Sequence, residues 1–80
     1  MWYVYCLRCK DGSIYTGITN DLKQRINRHN QGKGSKYTAS RRPVKLVYQE
    51  KHPDNSSALK RESYLKGLDK NQKEEMVAAK

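Results

Sequence analysis

Three side chains that can act on phosphate follow one another in the stretch from residue 15 to residue 29, YTGITNDLKQRINRH. The stretch is predicted to begin as a strand containing Tyr15, to break at Gly17 and to continue as a helix. Arg25 and His29 are four residues apart, so they lie one above the other on the same helical surface. With this helix resting on a sheet, a guanidinium and an imidazole lie near the tyrosine, and that combination suits work on phosphate.

The helix must carry an apolar stripe in order to hold these residues against a sheet. Leu22 and Ile26 are four residues apart and provide such a stripe. Thr19 or Asn20 is predicted to be the N-cap, with Asp21 in the first turn, where a negative charge is favourable. The helix is therefore expected to run from about residue 20 to residue 31.

The tyrosine belongs to a predicted β-hairpin. Residues 2–8, WYVYCLR, and residues 14–18, IYTGI, are rich in aromatic and β-branched side chains, and an Asp-Gly turn lies between them. In such a hairpin Tyr5 and Tyr15 can share one face of the sheet. A register slip of one residue would reverse this arrangement.

The rest of the chain adds one strand and two helices to the hairpin and the first helix. The strand is predicted at residues 44–50 and the helices at residues 56–67 and 70–79. The order β-β-α-β-α-α predicts an α+β fold with a small three-stranded antiparallel sheet flanked by helices. Eighty residues predict one domain, residues 1–80, with a thin core.

An acidic residue lies beside the apolar stripe of the first of these two helices. Ala58, Leu59 and Leu65 have helical spacing, and Glu62 falls among them. Its carboxylate is either at the edge of the stripe in water, paired with Lys66 at i, i+4, or turned towards a site. The sequence alone leaves these alternatives open.

The positive charge is concentrated in one segment. The net charge is +9, and residues 32–45 carry five cations and no acid within 14 residues. Such a segment is typical of proteins that bind a polyanion, although a solvated loop is the simpler alternative. The concentration favours nucleic acid, with contacts from Lys33, Lys36, Arg41 and Arg42 and with Tyr37 as a base-stacking ring.

The two cysteines predict neither a metal site nor a redox motif. Cys6 and Cys9 are three residues apart in a predicted strand, which points them to opposite faces, and the chain has no second pair. They are interpreted as small core residues in a reducing compartment. No stretch approaches the roughly 20 apolar residues of a membrane span and no signal peptide is visible, so a cytoplasmic location is expected.

These pieces resemble the GIY-YIG nuclease superfamily over essentially the whole chain. The first signature is Tyr3-Val4-Tyr5, with tyrosine in place of the family's glycine, and the second is Tyr15-Thr16-Gly17. Arg25 on the first helix and Glu62 on the second complete the match. Ile18 stands where some relatives carry lysine. The chain most resembles the small bacterial proteins that consist of this domain alone.

The resemblance implies a metal-dependent phosphodiesterase that cuts nucleic acid, and it assigns a role to each site residue. Glu62 would hold one divalent ion, Mg²⁺ or Mn²⁺, and Arg25 would steady the charge of the phosphorane. Tyr5, assisted by Tyr15, would take a proton from the attacking water, provided that cations lower its pKa. His29 would position that tyrosine or accept the proton itself.

The expected function is therefore a structure-selective or weakly sequence-selective endonuclease, with DNA as the preferred substrate and DNA repair or recombination as the process. A chain of this size leaves targeting to a protein partner or a dimer. Two other functions remain open at this stage: a nucleic-acid-binding module of the same fold with little turnover, and an RNA-associated accessory protein.

Overall fold

The computed structural model describes residues 1–79 and shows a three-stranded antiparallel sheet in the order β2-β1-β3, flanked by helices. The predicted α+β fold is confirmed, with one helix more than expected. The elements are β1 (Trp2–Arg8), β2 (Ile14–Thr19), α1 (Leu22–Asn30), α2 (Lys36–Ala39), β3 (Lys45–His52), α3 (Asn55–Lys66) and α4 (Lys70–Ala78).

The hairpin register places both tyrosines on one face. Tyr5 lies opposite Gly17, and Leu7 lies opposite Tyr15. Side chains alternate along a strand, so Tyr5, Leu7 and Tyr15 project to the same side. Gly12 in the turn has φ +87°, a conformation that glycine adopts without steric cost. The predicted face-sharing is confirmed.

The central strand β1 is buried on both faces because each face carries its own core. On one side, α1 packs Leu22 and Ile26 against Tyr5 and Leu7. On the other side, α3, α4 and the turn between them cover the sheet, and their residues Ala58, Leu65, Leu68 and Met76 form one apolar cluster with Val4 and Trp2. The sheet is thus a middle layer, and the face under α1 is the one that carries the tyrosines.

The two cysteines are buried free thiols on different faces, as predicted. Cys9 belongs to the core under α1. Cys6 lies on the opposite face, where its Sγ is 3.5 Å from the Thr16 hydroxyl. A C-x-x-C metal or redox pair is therefore not formed.

The first helix begins later than predicted. Its N-cap is Asp21, whose carboxylate accepts a hydrogen bond from the Gln24 amide at 3.1 Å, so neither Thr19 nor Asn20 is the cap. Thr19 still belongs to β2, and its hydroxyl accepts from the Asp21 amide and donates to the Asp21 carbonyl. Thr19 therefore stabilises the turn between β2 and α1, in which Asp21 is the N-cap.

The basic segment is not a simple loop, because it contains the short helix α2. Ser35 caps this helix by accepting a hydrogen bond from the Thr38 amide at 3.1 Å. Four residues are too few to show a helical period, and for that reason α2 is not predicted from the sequence.

The helix α3 departs from the prediction at one residue. Leu59 was assigned to its apolar stripe but is about half exposed. Within residues 1–79 no helix is long and apolar enough to cross a membrane.

Candidate active site

A chain of hydrogen bonds under α1 joins three side chains from three elements. The hydroxyl of Tyr5 lies 2.9 Å from Nε2 of His29, and Nδ1 of His29 lies 2.7 Å from the hydroxyl of Thr38. All three side chains are buried. The helix α1 positions the histidine in its last turn, and α2 brings the threonine to the far side of the imidazole.

One tautomer of His29 gives the chain a direction. The Thr38 hydroxyl lies 3.0 Å from the Ser35 hydroxyl and 3.4 Å from the Ser35 carbonyl, so it can donate to Ser35 while its oxygen accepts from Nδ1–H of His29. A neutral imidazole that donates from Nδ1 accepts at Nε2. The hydroxyl of Tyr5 is then the donor to His29, with the proton already directed at the imidazole.

Two glycines make this arrangement possible by leaving out a side chain. A Cβ on Gly17 would lie 2.6 Å from the hydroxyl oxygen of Tyr5, and a Cβ on Gly34 would lie 2.3 Å from Nδ1 of His29. Neither contact is sterically tolerable, and neither partner can move without losing its hydrogen bond. Gly17 was interpreted from the sequence as a break in the strand, but β2 continues through it to Thr19, and the structure gives both glycines a packing reason.

Arg25 carries a charge that no acid among residues 1–79 pairs with. The residue is half-buried, and its guanidinium takes part in no ion pair or side-chain hydrogen bond within that range. Burial lowers the pKa of His29, and the positive charge of Arg25 lowers it further. The imidazole is therefore neutral at neutral pH and can accept a proton.

The ionisation of Tyr5 differs from the expectation that cations lower its pKa. Burial raises the pKa of Tyr5 well above its usual value, and the neighbouring Tyr15 raises it further. Arg25 opposes this shift but is outweighed, and Glu62 adds to it. A free phenolate is thus disfavoured, and any proton that Tyr5 accepts must be matched by one passed on to His29.

The carboxylate of Glu62 lies on α3 and is largely buried, with 18% of its side chain exposed. It is 3.5 Å from the ammonium of Lys66, so the predicted i, i+4 pair is present, although the lysine is more than half exposed. The charge of Glu62 is the smallest of the influences that raise the pKa of Tyr5. The contact of the carboxylate within residues 1–79 is the one with Lys66.

The donor set fits a magnesium-type ion and does not fit a structural metal. Residues 1–79 contain no group of three or more histidine, cysteine or acidic side chains arranged to hold a metal. Mg²⁺ commonly takes one or two carboxylates and completes its shell with waters and substrate phosphates. Glu62 supplies a single carboxylate of that kind.

Two stacked tyrosine rings and an arginine guanidinium extend outwards from His29. The ring of Tyr15 lies 5.1 Å from the imidazole of His29 and 6.4 Å from the ring of Tyr5. Tyr37 of α2 stacks on Tyr15 with centroids 6.0 Å apart, and the guanidinium of Arg41 covers Tyr37 at 3.9 Å. Tyr37 thus lies beside the site, where its ring contacts Tyr15 and Arg41 while 38% of the residue stays exposed.

The four cations among the predicted nucleic-acid contacts fall into two groups. Lys33 and Lys36 are exposed and form no ion pair within residues 1–79. Arg41 pairs with Asp11 at 3.0 Å, and Arg42 donates to the Ala39 carbonyl at 2.8 Å. The two lysines are therefore available to bind phosphate, whereas the two arginines are held by hydrogen bonds within the protein.

Three residues of the site were missed by the sequence analysis: Ser35, Thr38 and Asn30. The spacing of Ser35 and Thr38 is that of an N-cap and the amide it caps, which is the only sequence signal for α2. Asn30 holds the start of β3 through two hydrogen bonds to the backbone of Val44, at 2.8 and 3.1 Å. Nothing local in the sequence indicates that contact, because its partner is 14 residues away.

Comparison with known proteins gives a consistent result. The family model described as the GIY-YIG catalytic domain matches residues 1–75. A UPF0213 protein of Clostridium perfringens is 52% identical over all of this chain and 86% of its own length, and one of Staphylococcus saprophyticus is 49% identical over 95% and 93%. The solution NMR structure of a UPF0213 protein from Bacillus halodurans matches with a TM-score of 0.65 and 46% identity, covering 100% of this chain and 86% of that one.

Proposed function

Because this chain belongs to the GIY-YIG family, among its small UPF0213 members, we propose that it is a divalent-metal-dependent endonuclease that hydrolyses phosphodiester bonds of DNA. A GIY-YIG domain implies a nuclease-type activity, and the metal, the substrate and the residue roles are the proposal. The observation that carries it is the chain Tyr5–His29–Thr38, buried beside the guanidinium of Arg25, which forms no ion pair within residues 1–79.

The proposed proton path is supported by two hydrogen bonds, by the raised pKa of Tyr5 and by the lowered pKa of His29. Tyr5 is 1% exposed and its phenolate is disfavoured, so it accepts a proton from the attacking water only as its own proton moves to Nε2 of His29. The neutral imidazole is the final acceptor, and Thr38 keeps its Nδ1–H in place. Tyr15 is more exposed than Tyr5 and lies against both rings, where it orients the incoming water.

The remaining charges act on the phosphate. Arg25 offers a planar, permanently charged set of donors to the oxygens that become more negative in the transition state. Glu62 would hold the divalent ion, which when bound polarises the scissile phosphate and stabilises the leaving 3′ oxygen. Mg²⁺ or Mn²⁺ suits a single carboxylate ligand, and Lys66 would have to release that carboxylate.

A second function, a nucleic-acid-binding module with little turnover, is favoured by one observation. Glu62 is already paired with Lys66 at 3.5 Å, so its charge has a partner without a metal. In this case the basic segment alone would carry the function. Targeting in either case is assigned to a protein partner or a dimer, and a structure-selective enzyme would serve DNA repair or recombination.

The experiment that separates these functions is a cleavage panel. Labelled DNA and RNA duplexes, overhangs, flaps and junctions are incubated with the protein in Mg²⁺, in Mn²⁺ and in chelator. The proposal predicts cleavage of at least one DNA structure that requires a divalent ion. Binding to the same structures without cleavage in either metal would support the binding module instead.

A further inference from the structure

Resting on the proposed nuclease function, we propose that a cleft beside the stacked tyrosines is a subsite for an unpaired nucleobase. The cleft has a volume of about 450 Å³ and is lined by Lys10, Asp11, Ser40 and Arg41. The substrate class would then be a nucleic acid with at least one unpaired nucleotide near the scissile phosphate, such as an overhang, a flap or a single strand.

The two walls of the cleft are fixed to each other. One wall is the β1–β2 turn and the other is the segment after α2. The amide of Lys10 donates to the carbonyl of Arg41 at 2.9 Å, and Nε of Arg41 pairs with the carboxylate of Asp11 at 3.0 Å. Arg41 also donates to the carbonyl of Tyr37 at 2.9 Å. The site is therefore formed before any ligand binds.

Arg41 presents a flat surface suited to a base. A guanidinium plane has two faces, and the ring of Tyr37 covers one of them at 3.9 Å. About a third of the Arg41 side chain remains exposed, and this side chain lines the cleft. Guanidinium planes and aromatic rings are the surfaces on which proteins stack unpaired bases. A base in the cleft would extend the sequence of planes that starts at Tyr15.

Asp11 favours a base over a phosphate in this cleft. Hydrogen bonds from Ser13 and Arg41 lower the pKa of the Asp11 carboxyl, so it is ionised at neutral pH. A carboxylate repels phosphate and accepts hydrogen bonds from the N–H groups that nucleobases present. Lys10 is exposed at the rim, where it can meet the backbone of the same nucleotide.

The position of the cleft connects it to the chemistry. Tyr37 stacks on Tyr15, and Tyr15 packs against the imidazole of His29. A base stacked on Arg41 would therefore be separated from Tyr15 by two groups, the guanidinium of Arg41 and the ring of Tyr37. Bases in a duplex are stacked and paired, so only an unpaired base can enter without the cost of opening the helix. The cleft thus selects for structure and not for sequence.

Binding to an abasic series tests this subsite. A duplex with a short single-stranded overhang, of either polarity, is compared with oligonucleotides that carry one abasic residue at each overhang position in turn. Affinities are measured by fluorescence anisotropy in chelator, so that no cleavage occurs. We expect one position at which loss of the base weakens binding by about fivefold or more, since stacking of a base contributes this much.

The variants Arg41→Lys and Arg61→Lys assign the effect to the cleft. Arg41→Lys keeps the charge but loses the plane, so it should bind the intact overhang as weakly as wild type binds the critical abasic one, with the same salt dependence. Arg61→Lys should behave like wild type, because Arg61 also pairs with a carboxylate and lies over a tyrosine ring but belongs to α3, outside the basic segment. A flat abasic series in the wild type, or an Arg41→Lys variant that keeps the sensitivity, would overturn the subsite. Failure to bind any oligonucleotide would instead contradict the proposed function.

Discussion

At the scale of single residues, the catalytic proposal depends on one phenol. Tyr5→Phe keeps the ring and its packing but removes the hydroxyl that bonds to His29. We expect cleavage to fall by about 10²–10⁴-fold, as for a lost general base, while nucleic-acid affinity barely changes. The measurement is single-turnover cleavage together with binding in chelator.

Tyr15→Phe is the matched control, since it removes the hydroxyl of the neighbouring ring. Tyr15 orients the water in the proposal and does not take the proton, so the loss of activity should be smaller. A larger loss in Tyr15→Phe than in Tyr5→Phe would transfer the role of base to the more exposed tyrosine.

Protonation of His29 is expected to determine how the cleavage rate decreases at low pH. His29 works as an acceptor only when neutral, and both burial and Arg25 lower its pKa from the usual 6.5. The acid limb of the cleavage rate should therefore have its midpoint below pH 6.5. The midpoint is obtained from the pH dependence of kcat/KM, and a midpoint at or above 6.5 would contradict a neutral, buried acceptor.

The same shift has a consequence for stability. Because the folded-state pKa of His29 lies below its unfolded value, the unfolded chain binds the additional proton first as pH falls. The contribution of this residue to stability is fully present above pH 6.5 and decreases below it.

At the scale of elements, the segment between α1 and α2 must approach the imidazole closely. Gly34→Ala would place a Cβ 2.3 Å from Nδ1 of His29 and displace the ring from Thr38. We expect cleavage to fall at least tenfold and stability to fall by about 1–3 kcal/mol, as for overpacking in a core. Cleavage and the free energy of unfolding are both measured.

Gly67→Ala is the control for the glycine substitution. Gly67 caps α3 with φ −81°, and a Cβ there would lie 3.4 Å from the nearest atom, an ordinary contact. This variant should be neutral or stabilised by about 0.4–1 kcal/mol with unchanged activity. Equal effects of the two substitutions would show that the space beside His29 is not critical.

The elements also show how far the sequence predicts the structure. The hairpin, the stripe of Leu22 and Ile26 and the face shared by Tyr5 and Tyr15 follow from alternation and helical spacing, which are local properties. The helix α2 and the cap Asp21 were not predicted, because a four-residue helix has no period and several polar residues compete for one cap.

Part of the candidate site could be named from the sequence, but neither Thr38 nor the hydrogen bonds that connect the side chains could be predicted. Tyr5, Tyr15, Arg25 and Glu62 follow from the resemblance to the family. The hydrogen bond from His29 to Thr38 joins residues on different helices, and the raised pKa of Tyr5 depends on burial that no sequence pattern measures. Long-range contacts and desolvation are properties of the folded molecule.

At the scale of the whole molecule, the excess positive charge predicts salt-dependent binding. Lys33 and Lys36 are two of the exposed lysines of the basic segment, and they lie after α1 and at the start of α2, respectively. Each phosphate contact contributes about −0.9 to the slope of log affinity against log salt on duplex DNA, so replacing both by alanine should flatten the slope by about 1.8. Binding is measured by titration at several salt concentrations.

The control for this prediction removes the same charge from the other side of the sheet. Lys60 on α3 and Lys70 on α4 are exposed, and their replacement by alanine should leave the slope nearly unchanged. Equal flattening by both pairs would indicate that the net charge, and not the basic segment, governs binding.

The central claim is that the molecule is a metal-dependent enzyme, and Glu62 tests it most directly. Glu62→Gln keeps the size of the side chain while it weakens the carboxylate proposed to hold the ion, and Arg25 and the Tyr5–His29 pair remain. Cleavage and binding are measured side by side for this variant and the wild type, in Mg²⁺ and in chelator. The proposal predicts that cleavage by Glu62→Gln disappears while nucleic-acid binding is kept or strengthened, because one negative charge has left a positive surface. Cleavage at the wild-type rate, with stability reduced only by the few tenths of a kcal/mol of a lost Lys66 pair, would contradict it.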